Sequence, residues 1–445
     1  MMLDFNLLFE KGRQAGLEEM EVYFVDSENF SCKVFEQEVD AYSVSATKGL
    51  SFRGLYNGKM GYTYTEKADN EAIDFLVASA LENACLIEKD DVQEIYGGDA
   101  YYEPLNLYAP DLENVEAEEK INFLKAVEAK VLAMDPRIKS VNYNSFANGA
   151  TTTRLVNSKG LDLSQPSNYA YTYVSVLASS DGENKTAGDF IVSQDFADYD
   201  ADVFAKGLAQ KALSKLGSIK PQSDTYPILL KNQVAADILE AMSGSFSAES
   251  VRKDLSRLKD KLGTVIANPL LTIMDDPHLE GGLGSASFDG EGVATFAKYV
   301  VYEGKLLTYL HSLTTAKHFG VKSTGNGFRS GFKGPVSISP SNLYIQPGTD
   351  SFEELARKVD NGIYITDVQG LHSGLNSISG DFSLSASGYL VTNGAIGQPV
   401  HEITIAGNFF EMLNDIKGIG ADLDFGASSV GCPSIWIGAL AVSGE

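Results

Sequence analysis

Cysteine is scarce in this chain of 445 residues: three, at Cys32, Cys85 and Cys432, and no two form a CxxC pair. An odd, scattered set excludes a disulfide framework and a cysteine-rich zinc site, and fits reduced thiols of a cytosolic protein. Histidine numbers only five, and no two of these stand one helical turn apart, as the helix of a typical zinc hydrolase requires. Positive charge is also in deficit. Thirty-five Lys and Arg against sixty Asp and Glu leave a net charge of −25, and no run of five basic residues occurs. That balance opposes attraction to a phosphate backbone, so no direct nucleic-acid contact is expected. Long apolar runs are missing too, so no transmembrane helix is read. The opening MMLDFNLLFEKGRQ lacks a basic segment followed by an apolar one, so no secretory leader is read and a cytoplasmic location is expected. Neither a G-x-x-x-x-G-K-[ST] phosphate loop nor a G-x-S-x-G nucleophile elbow is found.

What is present is an ordinary globular composition, 44% hydrophobic and 21% charged, over a length that exceeds one hydrophobic core. Residues 4–16 read as a short helix ending at Gly16. The Val-, Phe- and Tyr-rich stretch that follows reads as an antiparallel sheet of four or five strands, with a tight hairpin at Asn57-Gly58. NEAIDFLVASALENACLIE has helical spacing and would cover one face. A linker containing Pro104 and Pro110 leads to a second helix–sheet–helix block, roughly 114–217. KGL recurs at 48–50 and 159–161, a faint trace of duplication.

From residue 222 the character changes to strands and glycine turns, with hairpins expected at Glu303-Gly304 and Asn393-Gly394. Phe382, Leu384 and Ala386 alternate with Ser383, Ser385 and Ser387, one buried face and one polar face. The fold class is therefore α+β: two helix-covered antiparallel-sheet blocks followed by a mainly β C-terminal domain. The domains are placed at 1–100, 101–221 and 222–445.

Chemistry has few places to sit. DDPHLEGG brings Asp275, Asp276, His278 and Glu280 together, as a divalent-metal site, as an acid–base pair or, the favoured reading, as a turn after a strand. Arg329 in STGNGFRSG could cradle a carboxylate or phosphate. Cys432 precedes an apolar strand with no basic neighbour to lower its pKa, which points to burial. His311, His318 and His401 read as surface or packed side chains.

The order of segments resembles the TldD/PmbA family, once labelled modulators of DNA gyrase. The likeness rests on LLTIMDDP, FDGEGVAT, YVVYEGKLLTYLHS, TAKHFGVKSTGNGFR, NGIYITDVQG, SGDFSLSASGYLV and the ending NFFEMLNDIKGIGADLDFGASSVGCPSIWIGALAVSGE. One kind of subunit in that family carries His-Glu-x-x-x-His and a later cysteine, binds zinc and cleaves peptides; the PmbA or TldE kind lacks these ligands and pairs with the first. On the motif, this chain has Leu239, Glu240 and Gly244. Leucine offers no lone pair and glycine no side chain, so the resemblance implies a subunit with no catalytic residue and no metal of its own. It further implies zinc in a TldD-like paralogue as partner, and an extended peptide as substrate. The rival expectation is a non-enzymatic homodimer that binds peptides or a partner protein. On a helical projection Val234, Ala235, Ile238 and Met242 form the apolar stripe, with Glu240 opposite.

Overall fold

The computed structural model describes residues 3–88 and 93–445. Helix α1 (Phe5–Gln14) starts where the Asp4 side chain accepts the Leu7 amide. Three long strands follow, β1 (Met20–Phe35), β2 (Glu38–Tyr56) and β3 (Lys59–Thr65), then α2 (Ile73–Leu86). The first block thus has three strands rather than four or five, because each runs on through residues that alternation alone would divide. Asn57 and Gly58 do take positive φ, 49° and 73°, the geometry a two-residue hairpin needs. After the linker come α3 (Pro110–Glu113), α4 (Ala117–Met134), β4 (Ile138–Asn157), β5 (Asp162–Ser180), β6 (Glu183–Ser193) and α5 (Ala201–Leu213).

The two blocks share one sheet, ordered β3-β2-β1-β4-β5-β6. β1 runs antiparallel to β4 from Glu21 opposite Asn157 to Lys33 opposite Ser145. Their cores stay separate. Leu8, Phe52 and Leu76 pack under α1 and α2, while Phe123, Phe146 and Leu208 pack under α4 and α5. The repeated KGL does not mark equivalent places. Lys48–Leu50 lies inside β2, whereas Lys159 and Gly160 form the turn after β4.

The C-terminal domain is built on two sheets. One, ordered β16-β15-β14-β7-β19-β17, contains β7 (Asp224–Leu230), β14 (Gly362–Gln369), β15 (Asp381–Thr392), β16 (Ala395–Asn408), β17 (Ile416–Ile419) and β19 (Ile435–Ser443). The other, β10-β9-β8-β13-β18, contains β8 (Ile273–Asp275), β9 (Lys298–Tyr302), β10 (Lys305–Leu306), β13 (Leu343–Ile345) and β18 (Val430–Gly431). A short ribbon joins β11 (Gly327–Arg329) to β12 (Val336–Ile338). Both expected hairpins turn at the expected residues, with positive φ at Glu303, Gly304, Asn393 and Gly394. Phe382, Leu384 and Ala386 are buried, Ser383 and Ser385 exposed, and Ser387 half-buried. Between the two sheets lies α6 (Asn232–Met242), packed in the main core.

The domains meet through buried charge. Arg329 donates to Glu21 (2.7 Å), to the Ser51 hydroxyl (3.0 Å) and to the Gly290 carbonyl (2.8 Å). Arg53 donates to both oxygens of Glu21 and lies 3.8 Å from Glu291. Arg329 therefore spends its donors on the domain junction and offers no anion cradle. Tyr23 and Leu155 of the sheet pack there against Phe288 and Phe332.

Candidate functional site

The site is built outward from α6. Strand β7 delivers the chain to Lys231, and the helix runs to Met242 before tightening into a 3₁₀ turn, Ser243–Phe246. Val234, Ala235, Ala236, Ile238, Leu239 and Met242 are buried. The apolar face is thus wider than the expected stripe, since it adds Ala236 and Leu239; a helix wedged between two sheets buries more than one side. Gln233, Asp237 and Glu240, spaced i, i+4, i+7, share the remaining face. They form one wall of an open groove of about 520 Å³, faced by Leu283, Gly284 and the loop segment Ala427–Ser429.

Local chemistry holds that loop against the helix. Gly426 has φ 56°, where L side chains are strained, and a Cβ there would lie 2.4 Å from Gln233 Oε1 and push that side chain aside. The Asp424 carboxylate accepts the Gly426 amide (3.0 Å), and Ser428 Oγ accepts the Val430 amide (3.0 Å). Ser428 in turn donates to Glu240 Oε2 (2.7 Å). Glu240, exposed as the projection places it, is therefore tied to the loop rather than merely solvated. Burial and then the neighbouring Glu240 charge push Asp237 above the usual carboxylate range, against a hydrogen bond from Gln233. The groove is acidic, and one of its acids is inclined to hold a proton at milder pH than an ordinary aspartate.

The three motif positions fall differently. Leu239 is 2% exposed and part of the main core. Gly244 lies in the 3₁₀ turn after the helix, where an added Cβ would meet nothing within 4 Å. Cys432, after the loop, is wholly buried, exchanging backbone hydrogen bonds with Asp424. Burial pushes its thiol far up, with Asp237 adding to the effect. Two carboxylates, an amide and serines therefore line the groove, without an imidazole or an accessible thiolate. Such a donor set does not fit zinc. Among the described residues no group of three His, Cys, Asp or Glu side chains is placed to share a metal.

The acidic turn is committed elsewhere. Asp275 is fully buried. It takes hydrogen bonds from Lys298 Nζ (2.8 Å), Asn326 Nδ2 (2.8 Å), and the amide and hydroxyl of Ser341 (2.7 and 2.8 Å). Asp276 accepts the His278 amide (2.9 Å), an Asx-type turn. The His278 ring reaches Thr295, 3.2 Å away. Asp275, Asp276 and His278 thus point to different partners and form no common site. His311 is buried and its Nδ1 has no partner. Sequence reasoning passed over Asp237, Gln233 and Ser428. The first two could have been found from their helical spacing with Glu240; Ser428 carries no local signal.

Comparison with known proteins gives this geometry its setting. Family models described as PmbA/TldA metallopeptidase domain 1, central domain and C-terminal domain match residues 20–84, 110–216 and 223–444 in that order. The chain belongs to the PmbA/TldD metallopeptidase family. A PmbA homologue of Buchnera aphidicola from Acyrthosiphon pisum is 31% identical over 77% of this chain and 73% of its own length. The metalloprotease PmbA of Escherichia coli O157:H7 is 28% identical over 92% and 88%. Among solved structures, a candidate modulator of a DNA gyrase from Thermotoga maritima superposes with a TM-score of 0.92 at 32% identity, covering 99% of both chains. TldE of Thermococcus kodakarensis shares the fold, with a TM-score of 0.90 at 20% identity over 99% and 100%. The α+β architecture is thus that of PmbA/TldD proteins along the whole chain. No described helix is long and apolar enough to cross a membrane.

Proposed function

We propose that this chain is the metal-free, PmbA- or TldE-like subunit of a zinc metallopeptidase complex that cuts small or unfolded peptides. One observation supports the reading: in α6, which the resemblance sets against the zinc-motif helix, Leu239 belongs to the core and Gly244 offers no donor. Glu240, without a metal-bound water beside it, has nothing to deprotonate; here it anchors Ser428. The chain's work is then structural. It pairs with a zinc-bearing TldD-like paralogue and helps enclose the space in which an extended peptide is cut. An acidic groove suits a peptide's cationic groups, and the net charge of −25 disfavours nucleic acid.

The test is co-purification from native cells, followed by zinc measurement and peptidase assay on the separated subunits. The expected result is zinc and activity with the partner, neither with this chain, and unchanged complex activity for Glu240→Gln. One tightly held zinc per isolated chain, with activity abolished by Glu240→Gln, would overturn the proposal.

A further inference from the structure

A second seam joins the central domain to strands β14, β15 and β16, and the strands are irregular where it lies. Thr366 is an extra residue of β14, between Ile365 and Asp367, which both pair with β15. Between Ala386 and Gly388, β15 passes one residue, Ser387, while β16 passes two, His401 and Glu402. Glu402 takes φ 53°, a conformation that costs free energy in a residue with a Cβ. Bulges re-aim side chains, and here a small cavity of about 10 Å³ lies among the displaced residues, lined by Thr366, Ser387, Gly388 and His401. The central domain contributes Lys185 of β6 and Lys215, just beyond α5. The interdomain segment runs alongside: the Ile219 amide donates to the Pro399 carbonyl (2.9 Å), and the His401 amide to the Ile219 carbonyl (3.2 Å).

In a chain of net charge −25, this cavity faces cations with donors to spare. Lys215 Nζ donates to the Thr186 carbonyl (3.1 Å), and Lys185 Nζ lies 3.1 Å from Glu183 Oε1, yet each ammonium carries three N–H groups. Glu183 is also engaged by the Gly217 amide and the Ser218 hydroxyl, both at 2.7 Å, and Glu402 by Lys220 at 2.6 Å. Burial first, then Lys211, Lys231 and Lys185, push the Lys215 pKa down, against one carboxylate, Asp367. Burial, then Lys185 and Lys215, lower His401 against Glu402 and Glu183. Both ammoniums thus act at the imidazole that lines the cavity. We infer that the cavity binds one monatomic anion of the chloride class, and that this ion pins the central domain to the C-terminal sheet. The volume admits a single small particle. A water would leave the surplus of positive charge uncompensated, whereas an anion offsets it and accepts from ammoniums and hydroxyls at once. The site and its ligand are independent of the peptidase reading.

Thermal unfolding of the purified full chain, in sodium chloride or sodium gluconate at equal ionic strength, tests it together with anomalous diffraction from crystals grown in sodium bromide. Gluconate is too large to enter. Chloride is expected to raise the midpoint by about 1–2 °C, saturating below about 150 mM, and bromide to lie between Lys185, Lys215 and His401. Lys215→Met keeps the alkyl stem and removes the charge. It should abolish both the saturable rise and the bromide peak, with unchanged far-ultraviolet circular dichroism. A wild type without a saturable rise, or an equal rise in Lys215→Met, overturns the proposal. So does bromide found only at the surface, an adventitious ion only, with water in the cavity. If the variant fails to fold, the bromide map of the wild type decides by itself: a peak in the cavity supports the site and its absence overturns it.

Discussion

Asp275 with Asp276, and Asp237 with Glu240, are two acidic pairs in the same domain with opposite fates. The first looks more like a site in sequence, because His278 and Glu280 stand beside it. In the fold, Asp275 is saturated by an ammonium, an amide and a serine. The second pair is separated by two unremarkable residues, yet it stands open on a groove with spare lone pairs. A carboxylate can engage a ligand only with lone pairs that its own fold has left free.

The comparison can be broken by substitution. Asp275→Ala should have the largest effect, about 3–5 kcal/mol, because it leaves the buried Lys298 charge without its partner; urea unfolding monitored by fluorescence measures it. A loss under 1 kcal/mol would mean the hub is dispensable. Next comes Leu239→His, which sets an imidazole into an apolar core and should cost about 2–4 kcal/mol. Gly244→His, at an open position, should stay within about 0.5 kcal/mol. Equal losses for these two would contradict the different burial of the motif positions.

A pH scan sharpens the contrast between buried and open groups. Burial lowers His311 to about 4, below its ordinary value near 6.5. The unfolded chain therefore binds a proton first as pH falls. The contribution to stability is fully present above about 6.5 and is lost progressively down to about 4, by up to about 3 kcal/mol. His311→Phe should flatten that window in urea midpoints measured from pH 7 to 4.5. The smallest effect belongs to Glu240→Gln, expected within about 0.5 kcal/mol, because the amide oxygen can still accept from Ser428. A loss above 2 kcal/mol would make Glu240 a structural anchor like Asp275.

Much of the fold was legible in sequence because its signals are local. Asn57-Gly58, Glu303-Gly304 and Asn393-Gly394 need positive φ, and the turns sit there. The alternation of Phe382, Leu384 and Ala386 is a strand's period, and the strand is there. Strand number in the first block was not legible, since β1 and β2 continue through polar residues whose only support is the neighbouring strand. The groove was half legible. Glu240 was found through the motif, but Ser428, 188 residues away, meets it only after folding.

Composition and short-range pattern by themselves determined the acidic charge, the order of elements, and a helix in which Leu239 and Gly244 carry no metal-binding group. These properties need no contact partner to be true. Tertiary structure alone decided that Asp275 is consumed and that Glu21, Arg53, Glu291 and Arg329 seal a domain junction. The physical reason is that hydrogen bonds and ion pairs between distant residues form wherever the folded backbone brings them into register. One chain position does not announce which remote donor will reach it.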